Sequence, residues 1–150
     1  MWDWGIFVPG TPKPQGSVRA YSARGKAYVA ANHSDSFARW RNSVIDRAAT
    51  SWKGEPLEAA EVFIRFVFKP PKSWAKWYRE HPMSHVHHKR PDIDKLARAV
   101  LDGLTAAGVL ADDSNVCQLN LIKQYTDAAH PDEGADIAIN AVPLPTRKDT

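Results

Sequence analysis

Apolar and polar residues alternate from the start of the chain. Trp2, Trp4, Ile6 and Val8 are each separated by one residue, the period of a half-buried strand. The Pro- and Gly-rich run from Pro9 to Gly16 cannot sustain a ladder and predicts a loop. Val18 to Tyr21 and Lys26 to Val29 then read as hairpin arms closing over residues 22–25. Next the period changes. Phe37, Trp40, Val44, Ile45 and Ala48 fall on one face at 3.6 residues per turn, predicting a helix capped by Ser34 or Asp35 and ended before Pro56.

Glu61 to Lys69 is β-branched and aromatic and predicts a strand buried on both faces apart from Arg65. Pro70-Pro71 ends it, and Ser73 is positioned to cap a short helix through Tyr78. After a His-rich loop at 82–89, a second amphipathic helix begins near Pro91. It carries Ile93, Leu96, Ala97, Val100, Leu101 and Leu104 on one side, with Gly108 as its natural terminating residue. Strands are expected from Val116 to Tyr125 and from Ala135 to Val142, and a frayed tail over 143–150. Strands and helices mix without strict βαβ alternation. The expected fold class is α+β: one compact domain over 1–150, a mixed β-sheet packed with two main amphipathic helices.

Composition narrows the picture. With 150 residues, 43% of them hydrophobic, the chain can bury a core without staples. Its single cysteine, Cys117, excludes an intrachain disulfide and any Cys-based zinc spacing, which suits a reducing compartment. Charged residues interrupt every apolar stretch, and the N-terminus lacks the order of a signal peptide, so a soluble cytoplasmic protein is expected. The net charge of +3 is unevenly spread. Residues 1–75 carry 11 Lys/Arg against 6 Asp/Glu, and residues 76–150 carry 9 against 11. A basic half joined to an acidic half suits an anionic partner held beside a site that itself needs negative charge.

The acidic chemistry is concentrated in Arg90-Pro-Asp92-Ile-Asp94-Lys95-Leu96 and in Asp112-Asp113 beyond the helix. If the strand after the helix folds back beside it, Asp112 and Asp113 can return to Asp92 and Asp94. Carboxylates brought together repel, and a hard divalent cation such as Mg²⁺ resolves that conflict while orienting water and polarising a phosphodiester. Arg98 or Lys95 beside it can offset charge on the phosphate. Bland roles compete with this. An Asp at a helix start complements the dipole, Asp94–Arg98 and Arg98–Asp102 have i,i+4 ion-pair spacing, and Asp112-Asp113-Ser114-Asn115 has turn chemistry.

The segment from Arg90 through Arg98, continued by Ala99-Val-Leu-Asp-Gly-Leu-Thr-Ala-Ala-Gly-Val-Leu-Ala-Asp-Asp113, resembles the RusA family of Holliday-junction resolvases. Lys69-Pro-Pro-Lys-Ser-Trp74 is similar to bacteriophage-type members, and Val8-Pro-Gly-Thr-Pro-Lys-Pro-Gln-Gly16 also has family character. The resemblance implies that Asp92, Asp94 and Asp113 are metal-binding catalytic aspartates, with Asp112 secondary. It places Arg98 where the family usually has a catalytic lysine, and Lys95 where it usually has asparagine. Arginine stays charged and grips phosphate with a fork, but it donates a proton poorly.

Between the two halves, Lys69, Lys72, Lys76, Arg79, Lys89 and Arg90 face Glu80 alone, with Trp74, Trp77 and Tyr78 interleaved. The cations suit phosphate contacts, and an exposed aromatic suits an unpaired base. At least one of the three aromatics is expected to pack on the sheet instead. Lys13, Arg19, Arg24 and Lys26 are further phosphate candidates. His81, His85, His87 and His88 read as a solvated loop that gains positive charge near pH 6 rather than as a metal site.

The expected function is a Mg²⁺- or Mn²⁺-dependent endodeoxyribonuclease resolving four-way DNA junctions by paired phosphodiester hydrolysis. Two symmetric cuts, and the family's habit, imply a homodimer. Two alternatives stand beside it: a non-catalytic module that binds branched DNA, and a metal-dependent phosphoesterase acting on a smaller substrate.

Overall fold

A computed structural model describes residues 1–16, 18–23, 26–31, 35–81 and 86–146; side chains over 18–23 and 26–31 and that of Arg79 lie outside the description. So do Arg24, Gly25, Ser34, His85 and the last four residues of the tail. The chain forms β1 (Trp4–Pro9), β2 (Val18–Ala23), β3 (Lys26–Ala31), α1 (Asp35–Ser51) and β4 (Ala60–Phe68). A 3-10 turn (Lys72–Trp74) leads into α2 (Ala75–Glu80), followed by α3 (Ile93–Ala106), a second 3-10 turn (Asp113–Asn115), β5 (Val116–Tyr125) and β6 (Gly134–Ala141).

The four-stranded sheet has the order β1-β6-β4-β5. Only β4 and β5 run parallel; β1 and β4 both pair antiparallel with β6. The mixed sheet of an α+β domain is therefore present, as expected. Strands β2 and β3 form a separate antiparallel pair in which Ala23 faces Lys26, so Ser22 and Ala23 belong to the strand rather than to the turn.

Helices α1 and α3 supply the other layer. Phe37, Trp40, Val44 and Ala48 are buried from α1, matching the predicted face, with Ile45 at its half-buried margin. From α3 the buried residues are Leu96, Ala97, Ala99, Val100, Gly103 and Leu104. Ala99 and Gly103 extend the predicted stripe because α3 packs on α1 as well as on the sheet. A Cβ at Gly103 would lie 2.8 Å from Val44 Cγ1, so the missing side chain is what lets the two helices approach. Gly108 adopts φ +83° just past the C-terminus of α3, the left-handed conformation expected of a helix-terminating glycine.

Two local expectations are corrected. Strand β4 is buried on both faces only at its end: Ala60, Val62, Ile64 and Phe66 point into the core, while on the other face Glu61, Phe63 and Arg65 are half-buried and only Val67 is fully buried. Helices cover one side of this sheet, so alternation prevails over the continuous burial of a doubly covered parallel strand. Ser73 does not cap a helix. It lies inside the 3-10 turn, and α2 begins after Trp74 without a side-chain cap.

Candidate active site

The loop before α3 brings the first acidic residues to the helix mouth. Asp92 occupies the N-cap position with extended backbone, yet its side chain makes no capping hydrogen bond. Asp94 lies in the first turn, and both side chains are exposed. The positive end of the α3 dipole favours two carboxylates here. Lys95 Nζ stands 3.7 Å from Asp92 Oδ2. The i,i+4 pairs allowed by the spacing do not form: Asp102 instead takes Arg41 Nε of α1 at 2.9 Å, and Arg98 is exposed with no ion pair among the described residues. Asp94 and Arg98 are thus not consumed in lacing the helix.

The other end of α3 holds the second acidic pair. Thr105 Oγ1 donates a hydrogen bond to Asp113 Oδ1, which ties Asp113 to the last turn of the helix. Thr105 is 11 residues beyond Asp94, about 16 Å along the axis at 1.5 Å per residue. Strand β5 does fold back beside α3, but its first residues start from the far end, so Asp112 and Asp113 do not return to Asp92 and Asp94. Among the described residues, no three His, Cys, Asp or Glu side chains converge to hold a metal. Within one chain, the pair that suits a hard cation is Asp92 with Asp94, both oxygen donors and both exposed. Asp112 is occupied with turn chemistry. Its Oδ2 accepts from Ser114 N at 2.9 Å and from Ser114 Oγ, and these bonds hold its carboxyl below the usual aspartate range.

What β5 returns to the helix mouth is Lys123. Its ammonium donates to the carbonyl oxygens of Lys89 and Pro91, the latter at 2.8 Å, and so holds the chain that delivers Asp92. Partial burial pulls the Lys123 pKa down, and Asp92 pulls it back up. The sequence reading missed this residue. Its only signal was a lysine on the same β5 face as the core residues Leu121 and Tyr125.

The comparison with known families decides the affiliation. The profile of the family Endodeoxyribonuclease RusA matches residues 9–132, most of the chain, including α3, both acidic segments and β5. The chain belongs to the RusA endodeoxyribonuclease family. Among curated proteins, none matches it.

Around this RusA-type site the basic candidates take different places. Lys89 and Arg90 are exposed immediately before Pro91, next to Asp92. Lys72 and Lys76 are exposed on the 3-10 turn and α2, and Arg79 lies on α2. The backbone N–H of Lys69 donates to Glu133 Oε2 at 2.9 Å, so this lysine has an acidic neighbour. Lys13 lies in the loop after β1, beside Arg39 of α1, and Arg19 lies on β2. That loop reaches the helix mouth itself, where Gln15 N donates to the carbonyl of Lys95 at 3.1 Å.

The aromatics divide as anticipated. Trp74 and Tyr78 pack on the core around Tyr125, and Tyr78 Oη donates to the carbonyl of Thr126. Trp77 is 42% exposed and stacks on His81. The His-rich loop departs from expectation at His87, which is buried between Phe68 and Tyr125 and stacks on the Tyr125 ring at 4.4 Å. Burial, then the nearby Lys123 charge, push its pKa down to about 4. His87 is therefore a neutral packing residue at pH 6, not a solvated cation. No described helix is long and apolar enough to cross a membrane.

Proposed function

We propose that this protein cuts branched DNA, four-way junctions above all, by Mg²⁺- or Mn²⁺-assisted phosphodiester hydrolysis, and that it does so as a homodimer. The observation that carries the reading is the exposed Asp92–Asp94 pair at the positive end of α3, in a chain of the RusA endodeoxyribonuclease family. A divalent cation bound there would polarise the scissile phosphate and sharpen a water nucleophile. Arg98, one turn further along α3, is free to grip a phosphate oxygen, and Lys89 and Arg90 supply charge on the approach.

The placement of Asp113 supports the homodimer. A second copy can supply what the fold keeps about 16 Å away within one chain. Strand β5 is a sheet edge carrying the exposed apolar residues Leu119 and Ile122. If β5 pairs antiparallel with its own copy about a two-fold axis, the Val116 end of one strand runs beside the Tyr125 end of the other. Asp113 of one protomer then approaches the Pro91–Asp92 loop that Lys123 holds in its partner.

The test is cleavage of a labelled four-way junction and a linear duplex with Mg²⁺, Mn²⁺ or EDTA. Paired, metal-dependent nicks near the branch, lost in Asp94→Asn, are expected. Binding without nicks would replace the reading with a non-catalytic binder, and neither binding nor cutting with a phosphoesterase of smaller substrates. A mixture of Asp94→Asn and Asp113→Asn chains tests the dimer. Sites shared between subunits leave one intact site in each mixed dimer, so nicking returns, whereas sites confined to one chain stay dead.

A further inference from the structure

Resting on the DNA-cleaving reading above, we propose that the groove between the outer edge of β1 and helix α1 is a second DNA-binding surface, a track for the phosphate backbone of a duplex arm leading away from the cut site. The groove has a volume of about 750 Å³ and is walled on one side by Ile6, Phe7 and Pro9 of β1. Its other wall is a polar face of α1 bearing Ser43, Arg47 and Thr50, and the adjoining depression adds Arg39 and Lys13. Arg39, Ser43, Arg47 and Thr50 follow at offsets of 4, 8 and 11 and occupy an arc of about 80° at 100° per residue. This is one stripe, not a scatter.

The stripe has the chemistry of a backbone reader. Arg39 and Arg47 are about 12 Å apart along the helix axis, with the Thr50 hydroxyl on the same stripe, while Ser43 between them donates its hydroxyl to the Arg39 carbonyl at 2.9 Å. Guanidinium forks and hydroxyl donors recognise phosphate oxygens without reading sequence. Both arginines are exposed and have no ion pair among the described residues, although α1 offers Asp46 next to Arg47. Arg41, by contrast, is consumed by Asp102. Across the groove and the adjoining depression together, Asp46 is the one lining carboxylate, against Arg47, Arg39 and Lys13. Charge complementarity therefore favours a polyanion over an acidic or apolar peptide added to the β1 edge.

Continuity with the candidate active site gives the track its direction. Lys13 lies two residues before Gln15, whose N–H is bonded to the Lys95 carbonyl in the first turn of α3. From the Asp92–Asp94 end the basic positions run through Lys13 to Arg39 and on to Arg47. A duplex with its branch at the α3 mouth can lie along this line.

The experiment is equilibrium binding of a four-way junction in EDTA across a salt series, for the wild-type chain, Arg39→Ala/Arg47→Ala, and Lys53→Ala as an exposed control off the groove. Each phosphate neutralised contributes about 0.9 to the slope of log affinity against log salt. The double variant is expected to lower that slope by about 2 and weaken binding by about 10-fold or more. Lys53→Ala should retain the wild-type slope. The alanines keep α1 helical and leave its buried face intact, and a thermal melt confirms the fold. The difference should shrink when the junction arms are trimmed to a few base pairs. An unchanged slope, or a loss that persists in full on trimmed arms, overturns the track while the nuclease reading stands. Absence of DNA binding by the wild-type chain overturns both.

Discussion

Lys123 donates a hydrogen bond to the carbonyl of Pro91, 2.8 Å away, and so fastens strand β5 to the residue that immediately precedes Asp92. The same ammonium reaches the carbonyl of Lys89. One side chain thus satisfies two acceptors of the loop and adds a positive charge beside a carboxylate. Replacing it with methionine keeps the aliphatic stem and removes the donors. Lys123→Met is expected to lower stability by about 1–2 kcal/mol in urea unfolding and to reduce junction cleavage more than junction binding. Unchanged cleavage would remove Lys123 from any part in positioning Asp92.

Asp112 and Asp113 are neighbours with different occupations. Asp112 holds its own turn through Ser114, whereas Asp113 is tied to the last turn of α3 by Thr105. Asp112→Asn keeps an acceptor for Ser114 N–H and is expected to change cutting less than 10-fold, whereas Asp113→Asn should cost on the order of 100-fold or more through loss of a charged ligand. Single-turnover cleavage at saturating protein separates the two. Equal effects would mean that the pair acts as a unit.

His87 predicts the acid limit of the fold. Its pKa falls from 6.5 unfolded to about 4 folded, because burial and the Lys123 charge disfavour the imidazolium. A depressed folded pKa means that the unfolded chain takes up the proton first. The contribution is fully present above pH 6.5 and erodes as the pH falls toward 4, by as much as about 3 kcal/mol. His87→Phe retains a ring between Phe68 and Tyr125 but has nothing to protonate. Thermal melts of the two proteins between pH 7 and 4 should diverge, the variant showing the flatter profile. Parallel profiles would show that other groups set the acid limit.

Gly103 sets the spacing of the helical layer. Gly103→Ala gains helix propensity of about 1 kcal/mol, but its Cβ would meet Val44 Cγ1 at 2.8 Å in a fully buried contact. Overpacking of that kind costs about 1–3 kcal/mol, so net destabilisation by about 1 kcal/mol is expected. The paired variant Gly103→Ala/Val44→Ala should recover part of the strain and tests whether the contact is its source.

Much of this protein was legible in one dimension because its signals are local. The 3.6-residue stripes of α1 and α3, the Pro-rich loop and the glycine that ends α3 depend on neighbours in sequence, and each appears where the pattern placed it. The pairing of Asp92 with Asp94 was equally visible, since two residues so close at a helix start must share its end. Burial around β4 was not, because whether a hydrophobic strand is covered on one face or two depends on where distant helices pack. The aspartates after α3 failed for the same kind of reason. The strand folds back, but helix length keeps its beginning and its end far apart, so the tertiary structure returned Lys123 to Asp92 and left Asp113 at the opposite pole. His87 shows the principle at one residue: its neighbours in sequence are exposed, and only the docking of Phe68 and Tyr125 around it removes its ring from water. Sequence determined which chemical groups this chain possesses and which local elements carry them. Long-range packing alone decided which of those groups meet, because contacts between distant segments depend on the lengths and directions of everything between them.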